Sequence, residues 1–84
     1  MIVIMSYRCP CCGYYTLRDD SDDICRVCAW QDDILQREDQ NYIGGPNEES
    51  LNQARKNYII FGASNKKFVD KIRKPLYEEL PENN

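Results

Sequence analysis

The spacing of the cysteines is the feature that most constrains the fold of this chain. Two C-x-x-C pairs, Cys9-Pro10-Cys11-Cys12 and Cys25-Arg26-Val27-Cys28, are separated by twelve residues. A tight turn of this kind presents two thiolates, and four thiolates complete a tetrahedral metal site. We therefore predict that Cys9, Cys12, Cys25 and Cys28 bind one structural zinc ion, Zn2+. Iron would use the same ligands, and we favour zinc because it does not change redox state.

The two predicted turns differ in the residues that support them. Pro10 fixes φ inside the first turn, and Gly13 tolerates backbone angles that other residues resist. The second turn has Arg26 and Ala29 at the corresponding places. Arg26 could instead lend positive charge to the neighbouring thiolates.

Cys11 is left over once the four ligands are assigned. We interpret it as a free thiol whose small side chain points outward from the first turn. The alternative is a redox-sensitive thiol that local dipoles activate. Disulfide pairing is disfavoured by the odd number of cysteines and by an amino-terminal stretch without the pattern of a signal peptide, and both features favour a cytoplasmic location.

The length of the chain favours a fold that a metal ion helps to stabilise. A single domain of 84 residues with two Phe and one Trp can bury only a modest apolar core. We predict a small α+β metal-stabilised domain over residues 1–84. Its zinc-ribbon-like β-hairpins would carry two knuckles, the metal-binding turns, and would pack against one or two C-terminal helices.

Local patterns divide this domain into an amino-terminal metal region and a loop. Residues 1–35 form the predicted zinc-binding hairpin region, with strands at 2–7 and 14–17 on either side of the first knuckle. Residues 36–49 are polar and include Gly44-Gly45-Pro46, which predicts a long loop.

Helical signals follow the loop. Ser50 and Gln53 form a capping-box pattern at the start of a predicted main helix over residues 50–62, which Gly62 ends. Apolar residues recur through it at helical spacing, and Ile59 joins them on a neighbouring row; the residues at that spacing are Leu51, Ala54, Tyr58 and Phe61. We expect a short second helix over residues 66–74, stopped before Pro75, and a frayed tail at residues 81–84.

Charge is distributed unevenly along the chain. The formal net charge is −3, with ten acidic residues against four arginines in residues 1–49 (−6) and seven basic residues against four acidic ones in residues 50–84 (+3). The acidic half favours a protein partner with a basic surface. A nucleic-acid-binding protein is the alternative, and its contacts would come from a basic set: Lys66, Lys67, Lys71, Arg73 and Lys74.

Enzymatic activity is not expected. The chain has no histidine, which excludes the Ser-His-Asp and Cys-His arrangements and the H-E-x-x-H motif. A site in which all four ligands are cysteines also has no open position for a substrate. The remaining enzymatic alternative is a small hydrolase or redox protein that uses Asp32 and Asp33, or Cys11.

With these residues in view, the chain resembles the cysteine-rich CPCC family of small bacterial proteins. The resemblance runs through most of residues 7–63 and is carried by several stretches: Cys9-Pro10-Cys11-Cys12-Gly13-Tyr14-Tyr15-Thr16-Leu17, Trp30-Gln31-Asp32-Asp33, Gly44-Gly45-Pro46-Asn47, Ser50-Leu51-Asn52-Gln53-Ala54-Arg55-Lys56-Asn57 and Phe61-Gly62-Ala63. It implies a zinc-ribbon-like protein of bacterial or phage origin, without an established activity.

The resemblance also implies that a set of polar residues beside the metal site forms one cluster: Trp30, Asp32, Asp33, Asn47, Asn52, Arg55 and Asn57. Within this cluster we expect Arg55 to pair with Asp32 or Asp33. We expect Asn47 and Asn57 to connect the long loop to the main helix.

The function that we expect is that of a non-enzymatic protein-interaction module. Such an acidic protein could act as an inhibitor, an immunity protein or an anti-defence factor by covering a basic surface of its partner.

Overall fold

The computed structural model describes residues 6–18 and 22–84. Within them lie two strands, β1 (Tyr7–Arg8) and β2 (Tyr15–Leu17), and two helices, α1 (Ile34–Glu38) and α2 (Leu51–Phe61). Three short 3₁₀ turns follow, at Lys66–Phe68, Tyr77–Glu79 and Pro81–Asn83. The chain is thus a small domain with a two-stranded antiparallel hairpin, one main helix and a cysteine cluster.

The hairpin carries the first cysteine pair at its tip. Strand β1 pairs antiparallel with β2, with Tyr7 opposite Leu17 and Arg8 opposite Tyr15, and one irregularity in register between them. The predicted strand at 2–7 lies almost entirely outside the described residues. Around the second cysteine pair, the predicted hairpin is reduced to one isolated bridge between Ile24 and Gln31.

Helix α2 begins and ends at residues whose side chains and backbone fit those positions. The Ser50 hydroxyl accepts a hydrogen bond from the backbone N–H of Gln53 at 3.1 Å, which satisfies one free donor of the first turn. The reciprocal half of the capping box is replaced, because the Gln53 side chain donates to Asn57 at 2.9 Å. Gly62 ends the helix with φ of 79°, a conformation that costs glycine little.

The apolar stripe of α2 is fully buried only in its first half, and Tyr58 in its second half is partly buried against the core. Leu51 and Ala54 are fully buried, whereas Ile59 is 84% exposed and Phe61 is 40% exposed. Helical periodicity therefore predicts the correct element but the wrong extent of its buried face.

Three expected boundaries are wrong. The stretch expected to be a loop from residue 36 overlaps α1, because the Asp33 side chain accepts from Gln36 N at 3.0 Å and caps that helix. The helix expected at 66–74 is only the 3₁₀ turn Lys66–Phe68; Arg73 N donates instead to Arg26 O at 3.1 Å, so the segment follows the second cysteine pair. The tail expected to fray forms the 3₁₀ turn Pro81–Asn83, in which the Asn83 side chain donates to Tyr77 O at 2.8 Å.

The core lies between the hairpin, the second cysteine pair and the first half of α2. It contains Leu17, Val27, Trp30 and Leu51, each at most 2% exposed, together with the cysteines. Trp30 packs in this core, but its indole N–H has no partner among the described residues. Within the described residues, no helix is long and apolar enough to cross a membrane.

A buried glutamine fixes the polar segment between the two helices. Gln36 is fully buried; its amide N–H groups donate to Glu49 O at 2.9 Å and to Tyr42 O at 3.2 Å, and its carbonyl oxygen accepts from Asn47 at 2.9 Å. Asn47 in turn exchanges two hydrogen bonds with the backbone of Gln31, at 2.9 and 2.7 Å. Satisfied amides thus replace apolar packing in holding this segment.

Gly45 lies against the Gln36 side chain, where a larger residue has no room. A Cβ at position 45 would lie 2.6 Å from the side-chain Cδ of Gln36, which is well inside van der Waals contact. Since the Gln36 amide is held by three hydrogen bonds, it cannot move aside without losing them.

We expect Gly45→Ala to lower the free energy of unfolding by about 1–3 kcal/mol through overpacking. In a Gln36→Ala background, which itself is destabilised, the same change should cost much less, because the clashing amide is gone. Chemical denaturation of the four proteins would measure this coupling. Strictly additive effects would contradict the proposed contact.

The C-terminal turn is held by an ion pair. The two terminal guanidinium nitrogens of Arg73 donate to Glu79, at 2.7 and 2.9 Å, and Leu76 N donates to the same carboxylate at 2.8 Å. The hydrogen bonds from Arg73 lower the pKa of Glu79 from its ordinary value of 4.5, although partial burial opposes the shift. Strand β2 packs against this turn, Tyr77–Glu79.

This pKa shift predicts a dependence of stability on pH. A carboxylate whose pKa is lowered in the folded state stabilises the fold above its unfolded pKa, and the contribution is lost as pH falls through the folded pKa. Glu79→Gln should therefore cost about 1 kcal/mol at neutral pH, discounted for the partly exposed Arg73. The difference between the two proteins should vanish below the folded pKa in urea titrations. A difference that persists into strong acid would contradict this assignment.

Candidate metal centre

The two cysteine pairs form knuckles of the same backbone geometry. In the first, Gly13 N donates to Cys9 O at 2.9 Å and Cys9 N donates to Tyr14 O at 2.8 Å. In the second, Ala29 N donates to Cys25 O at 2.8 Å and Cys25 N donates to Trp30 O at 2.9 Å. Each C-x-x-C turn is therefore closed by its own backbone, which holds its two sulfurs on one side.

The residue after each knuckle adopts a left-handed backbone conformation. Gly13 has φ of 85° and Ala29 has φ of 68°. Glycine adopts this conformation freely, whereas an alanine there pays about 1–2 kcal/mol because its Cβ approaches the backbone. The second knuckle is thus held in its shape by contacts elsewhere. One is Ser64 N, which donates to Cys28 O at 2.7 Å.

The Arg26 guanidinium, expected to lend positive charge to the thiolates, is paired with a carboxylate. Its guanidinium donates to both carboxylate oxygens of Asp23, at 2.9 and 3.0 Å, and to Ile24 O at 2.8 Å. Burial raises the pKa of Asp23, but hydrogen bonds from Arg18 N and from Arg26 outweigh it and hold the pKa below its ordinary value. The carboxylate of Asp23 thus neutralises the positive charge of Arg26.

The sulfur atoms of the four predicted ligands lie close together. The Sγ atoms of Cys9, Cys12, Cys25 and Cys28 all lie within 4.8 Å of one another. The closest pairs join the two knuckles, with Cys9 to Cys28 and Cys12 to Cys25 both at 3.6 Å. Three of these cysteines are at most 1% exposed, and Cys12 is half-buried.

These distances fit a tetrahedral metal ion. Four sulfurs at about 2.3 Å from a central zinc would be about 3.8 Å from each other. A disulfide would need an S–S separation of about 2.05 Å, and all five cysteines are free. The donor set is entirely thiolate, which suits zinc or iron and leaves no ligand position for water.

The family of the chain is now apparent from its sequence as a whole. A model of the cysteine-rich CPCC family matches residues 7–79, which include both knuckles and α2. The chain belongs to the cysteine-rich CPCC family. A search of curated proteins found no match to it.

The electrostatics of the CPCC cluster are suited to a bound cation. Hydrogen bonds from Cys12, then from Cys28 and Cys9, lower the pKa of Cys25, and the Thr16 hydroxyl at 2.8 Å adds to this. Cys12 has a raised pKa because it donates to Cys25, and contacts with Cys11 and with the other cluster thiols raise the pKa of Cys28. The four thiols cannot all ionise at these separations unless a cation neutralises them.

Cys11 is buried rather than outward-facing. It is 8% exposed and belongs to the core, so the expected outward orientation is wrong. Its thiol is not one of the four sulfurs that converge. The residue before it explains the burial: Pro10 O accepts from Arg55 Nε at 2.8 Å, which holds this side of the knuckle against α2.

The predicted polar cluster is divided into separate contacts. Asp32 is fully buried and pairs with Arg37, while Asp33 caps α1. Arg55 instead donates to Pro10 O and, at 2.6 Å, to the side chain of Gln40. The expected pairing of Arg55 with Asp32 or Asp33 is therefore wrong.

The asparagines of the cluster also act differently from expectation. Asn47 binds Gln31 and Gln36 rather than α2. Asn57 donates to Ser64 O at 2.8 Å, just after its own helix. Asn52 does join α2 to the preceding segment: its backbone N–H donates to Gln40 O at 3.0 Å and its side chain to Asn41 at 2.8 Å.

Sequence reasoning missed Gln36, Arg37 and Thr16. Gln36 and Arg37 stand in a polar stretch that gives no sign of burial or pairing. The three-residue spacing from Asp33 to Gln36, which is typical of a helix cap, could have predicted the helix that positions Gln36 and Arg37. Thr16 lies next to Leu17 in β2, and its contact with Cys25 requires the tertiary arrangement of both knuckles.

A cavity of about 430 Å³ lies beside the second knuckle and is lined by Gln31 and by residues 46–49. Its walls carry Glu48, Glu49, Lys67 and Asn65. Lys67 pairs with Glu48, and Asn65 donates to Glu49 at 2.8 Å, so most polar groups of the wall satisfy one another.

The first knuckle is followed by a glycine and the second by an alanine, and this difference can be tested with a matched pair of substitutions. We expect Ala29→Gly to raise the free energy of unfolding by about 1 kcal/mol by removing the strain at φ of 68°. Gly13→Ala should lower it by a similar amount, since a Cβ there meets only Arg8 at 3.5 Å and the cost is conformational. Denaturant titrations of the metal-bound proteins would test both. A destabilising Ala29→Gly would show that the Ala29 methyl contributes more than its backbone costs.

Proposed function

We propose that this CPCC protein is a zinc-stabilised protein-interaction module without catalytic activity. The observation that supports it most is the closed cluster of four cysteine sulfurs within 4.8 Å. Such a set fills every ligand position of a tetrahedral ion, which suits a structural metal. Zinc is the ion that we propose, with one ion per chain. The two knuckles, each on a short hairpin or bridge, would make the domain zinc-ribbon-like.

The residues considered for catalysis are engaged in the fold. Asp32 is fully buried and paired with Arg37, and the Asp33 carboxylate is occupied at the start of α1. Cys11 is buried in the core. These placements support a module that binds rather than reacts.

The partner that we propose is a protein with a basic surface. The acidic half of the chain supplies the matching charge: residues 1–49 carry −6, and exposed carboxylates there include Asp22, Glu38 and Asp39. Charge of this kind speeds association and selects among partners. An inhibitor, an immunity protein or an anti-defence factor of bacterial or phage origin, acting in the cytoplasm, is the class of function that we propose.

Nucleic-acid binding is the weaker candidate. Of the five basic residues considered for it, Lys67 pairs with Glu48 and Arg73 pairs with Glu79. Lys66, Lys71 and Lys74 remain, in a chain whose net charge is −3.

The metal proposal predicts that the ion is required for folding. Removal of the metal with a chelator, or Cys25→Ser, should abolish the cooperative unfolding transition, because metal affinity in small domains is folding free energy. Cys11→Ser is the matched control, since that thiol lies outside the four-sulfur group; it should retain one zinc by elemental analysis. A folded, metal-free protein under reducing conditions would contradict the proposal.

The partner proposal predicts salt-sensitive binding through the acidic half. Zinc-loaded protein should retain basic proteins from a host lysate at about 50 mM salt and release them at about 300 mM, because screening weakens exposed charge pairs. Glu38→Lys with Asp39→Lys should reduce the retained amount. Lys66→Glu with Lys71→Glu is the control of equal charge change. Equal retention by all three proteins would count against the acidic surface.

A further inference from the structure

A second cavity, of about 450 Å³, lies over the first knuckle. Its lining consists of residues 9–13, which form the knuckle, together with Arg8 and Arg55. Among the described residues, no acidic side chain contributes to this lining. The two arginines come from different elements, because Arg8 lies in β1 and Arg55 lies in α2. We call this feature the arginine cavity.

Both arginines are held to the same turn by their Nε atoms. Arg8 Nε donates to Gly13 O at 3.0 Å, and Arg55 Nε donates to Pro10 O at 2.8 Å. These two carbonyls belong to one tight turn, so the two guanidinium groups are brought to the same part of the surface. Arg8 also lies close to Gly13, since a Cβ on that glycine would be 3.5 Å from Nη2 of Arg8.

The Nε hydrogen bonds leave other guanidinium nitrogens unused. The terminal nitrogens of Arg8 donate to no other described residue. Arg55 uses Nη1 for Gln40 and Asn52, at 2.6 and 3.4 Å, while its Nη2 has no partner within the described ranges. Neither arginine forms an ion pair with a described carboxylate. Three terminal nitrogens therefore remain as donors, on side chains whose orientation the Nε bonds restrict.

The cysteine cluster does not take up these donors. Within the part of the chain that the structure describes, neither guanidinium donates to a cysteine sulfur. Negative charge on metal-bound thiolates would offset the two cations without direct contact. The unused N–H groups would still lack an acceptor.

The number of unused donors favours phosphate over carboxylate as the ligand. Each terminal nitrogen carries two N–H groups, so the three nitrogens provide about six donors. A carboxylate has two oxygens with about four lone-pair sites. A phosphate monoester has three acceptor oxygens and a charge of about −1.5 to −2 at pH 7, which matches two guanidinium groups.

A nucleic-acid backbone matches the arginine cavity less well. Its affinity depends on several cations spread along a strand, and each of its phosphates is a diester with a single charge. The cavity provides two cations at one turn, beside residues 1–49, which carry −6. A single small phosphate meets both arginines without a long approach to the surrounding carboxylates.

We propose that the arginine cavity binds one phosphate group, as the free anion or as a monoester, between the guanidinium groups of Arg8 and Arg55. The first knuckle then has two roles, because its sulfurs hold the proposed metal and its Pro10 and Gly13 carbonyls orient the arginines. The site is separate from the acidic surface proposed for a partner protein and does not depend on it.

The test uses the metal-loaded full chain, labelled with nitrogen-15, and inorganic phosphate at constant ionic strength. We expect the Nε–H signals of Arg8 and Arg55 to move saturably as phosphate is added. Acetate at the same ionic strength is the control and should leave both signals in place. Signals that do not move, or that move equally with acetate, would overturn the proposal. So would a movement that accompanies loss of zinc in elemental analysis.

Variants of the chain locate the binding. Arg8→Gln should fold, because Arg8 is exposed, and should weaken the affinity for phosphate about tenfold through the loss of one guanidinium group. Arg18→Gln is the matched control, since it removes the same charge at an exposed position outside the cavity and should bind as the unaltered chain does. Arg55→Gln should weaken binding to a similar extent while retaining one zinc. Unchanged affinity in the Arg8→Gln protein would contradict the proposed site.

Two further titrations identify the source of the phosphate. Tighter binding of a short uncharged peptide with one phosphoserine would assign the site to a monoester, and equal or weaker binding would assign it to the free anion; both results support the site. A duplex DNA that binds more tightly than either probe, and that is released as salt increases, would overturn the proposal by showing that the arginines serve nucleic acid.

Discussion

Four thiol groups brought to within 4.8 Å of one another are the constraint on which the rest of this structure depends. If all four ionise, the thiolates repel one another unless a cation takes up the charge, and two tightly closed knuckles hold them there. The core is arranged around these sulfurs: Trp30 and Val27 extend from the second knuckle, and Leu17 comes from the strand that follows the first. The apolar core of so short a chain is small, so the cluster replaces much of the packing that a larger domain would have.

Polar groups provide a second means of holding the chain together. The segment between α1 and α2 contains few buried apolar side chains, and Gln36 and Asn47 hold it through a set of satisfied amide hydrogen bonds. Such a network fixes a backbone path more specifically than apolar contact does, because each donor requires an acceptor at one position and angle. It also explains the glycine at position 45, where a larger residue would displace the amide.

Local features could be predicted from the sequence, whereas long-range contacts could not. The convergence of the four cysteines follows from spacing within single turns, and the ends of α2 follow from the chemistry of Ser50 and Gly62. The partners of Arg55 could not be predicted, because nothing local distinguishes Asp32 from Pro10 O as its acceptor. Gln36 was missed because a buried glutamine and an exposed one look the same in a polar stretch. The exposure of Ile59 shows that helical periodicity indicates a face and not what covers it.

The positions of the cysteines along the chain also favour an order of folding during synthesis. All four sulfurs of the cluster lie between residues 9 and 28, so the longest loop that must close to assemble them joins Cys9 to Cys28. The contacts of the C-terminal segment with the second knuckle come much later in the chain, and the bond from Arg73 N to Arg26 O closes a far longer loop. Since short loops close at lower entropic cost and the amino terminus leaves the ribosome first, the four cysteines can come together on the nascent chain before α2 is synthesised. The bond from Ser64 N to Cys28 O, which supports the second knuckle, forms afterwards. The C-terminal segment would then fold onto a surface that is already in place.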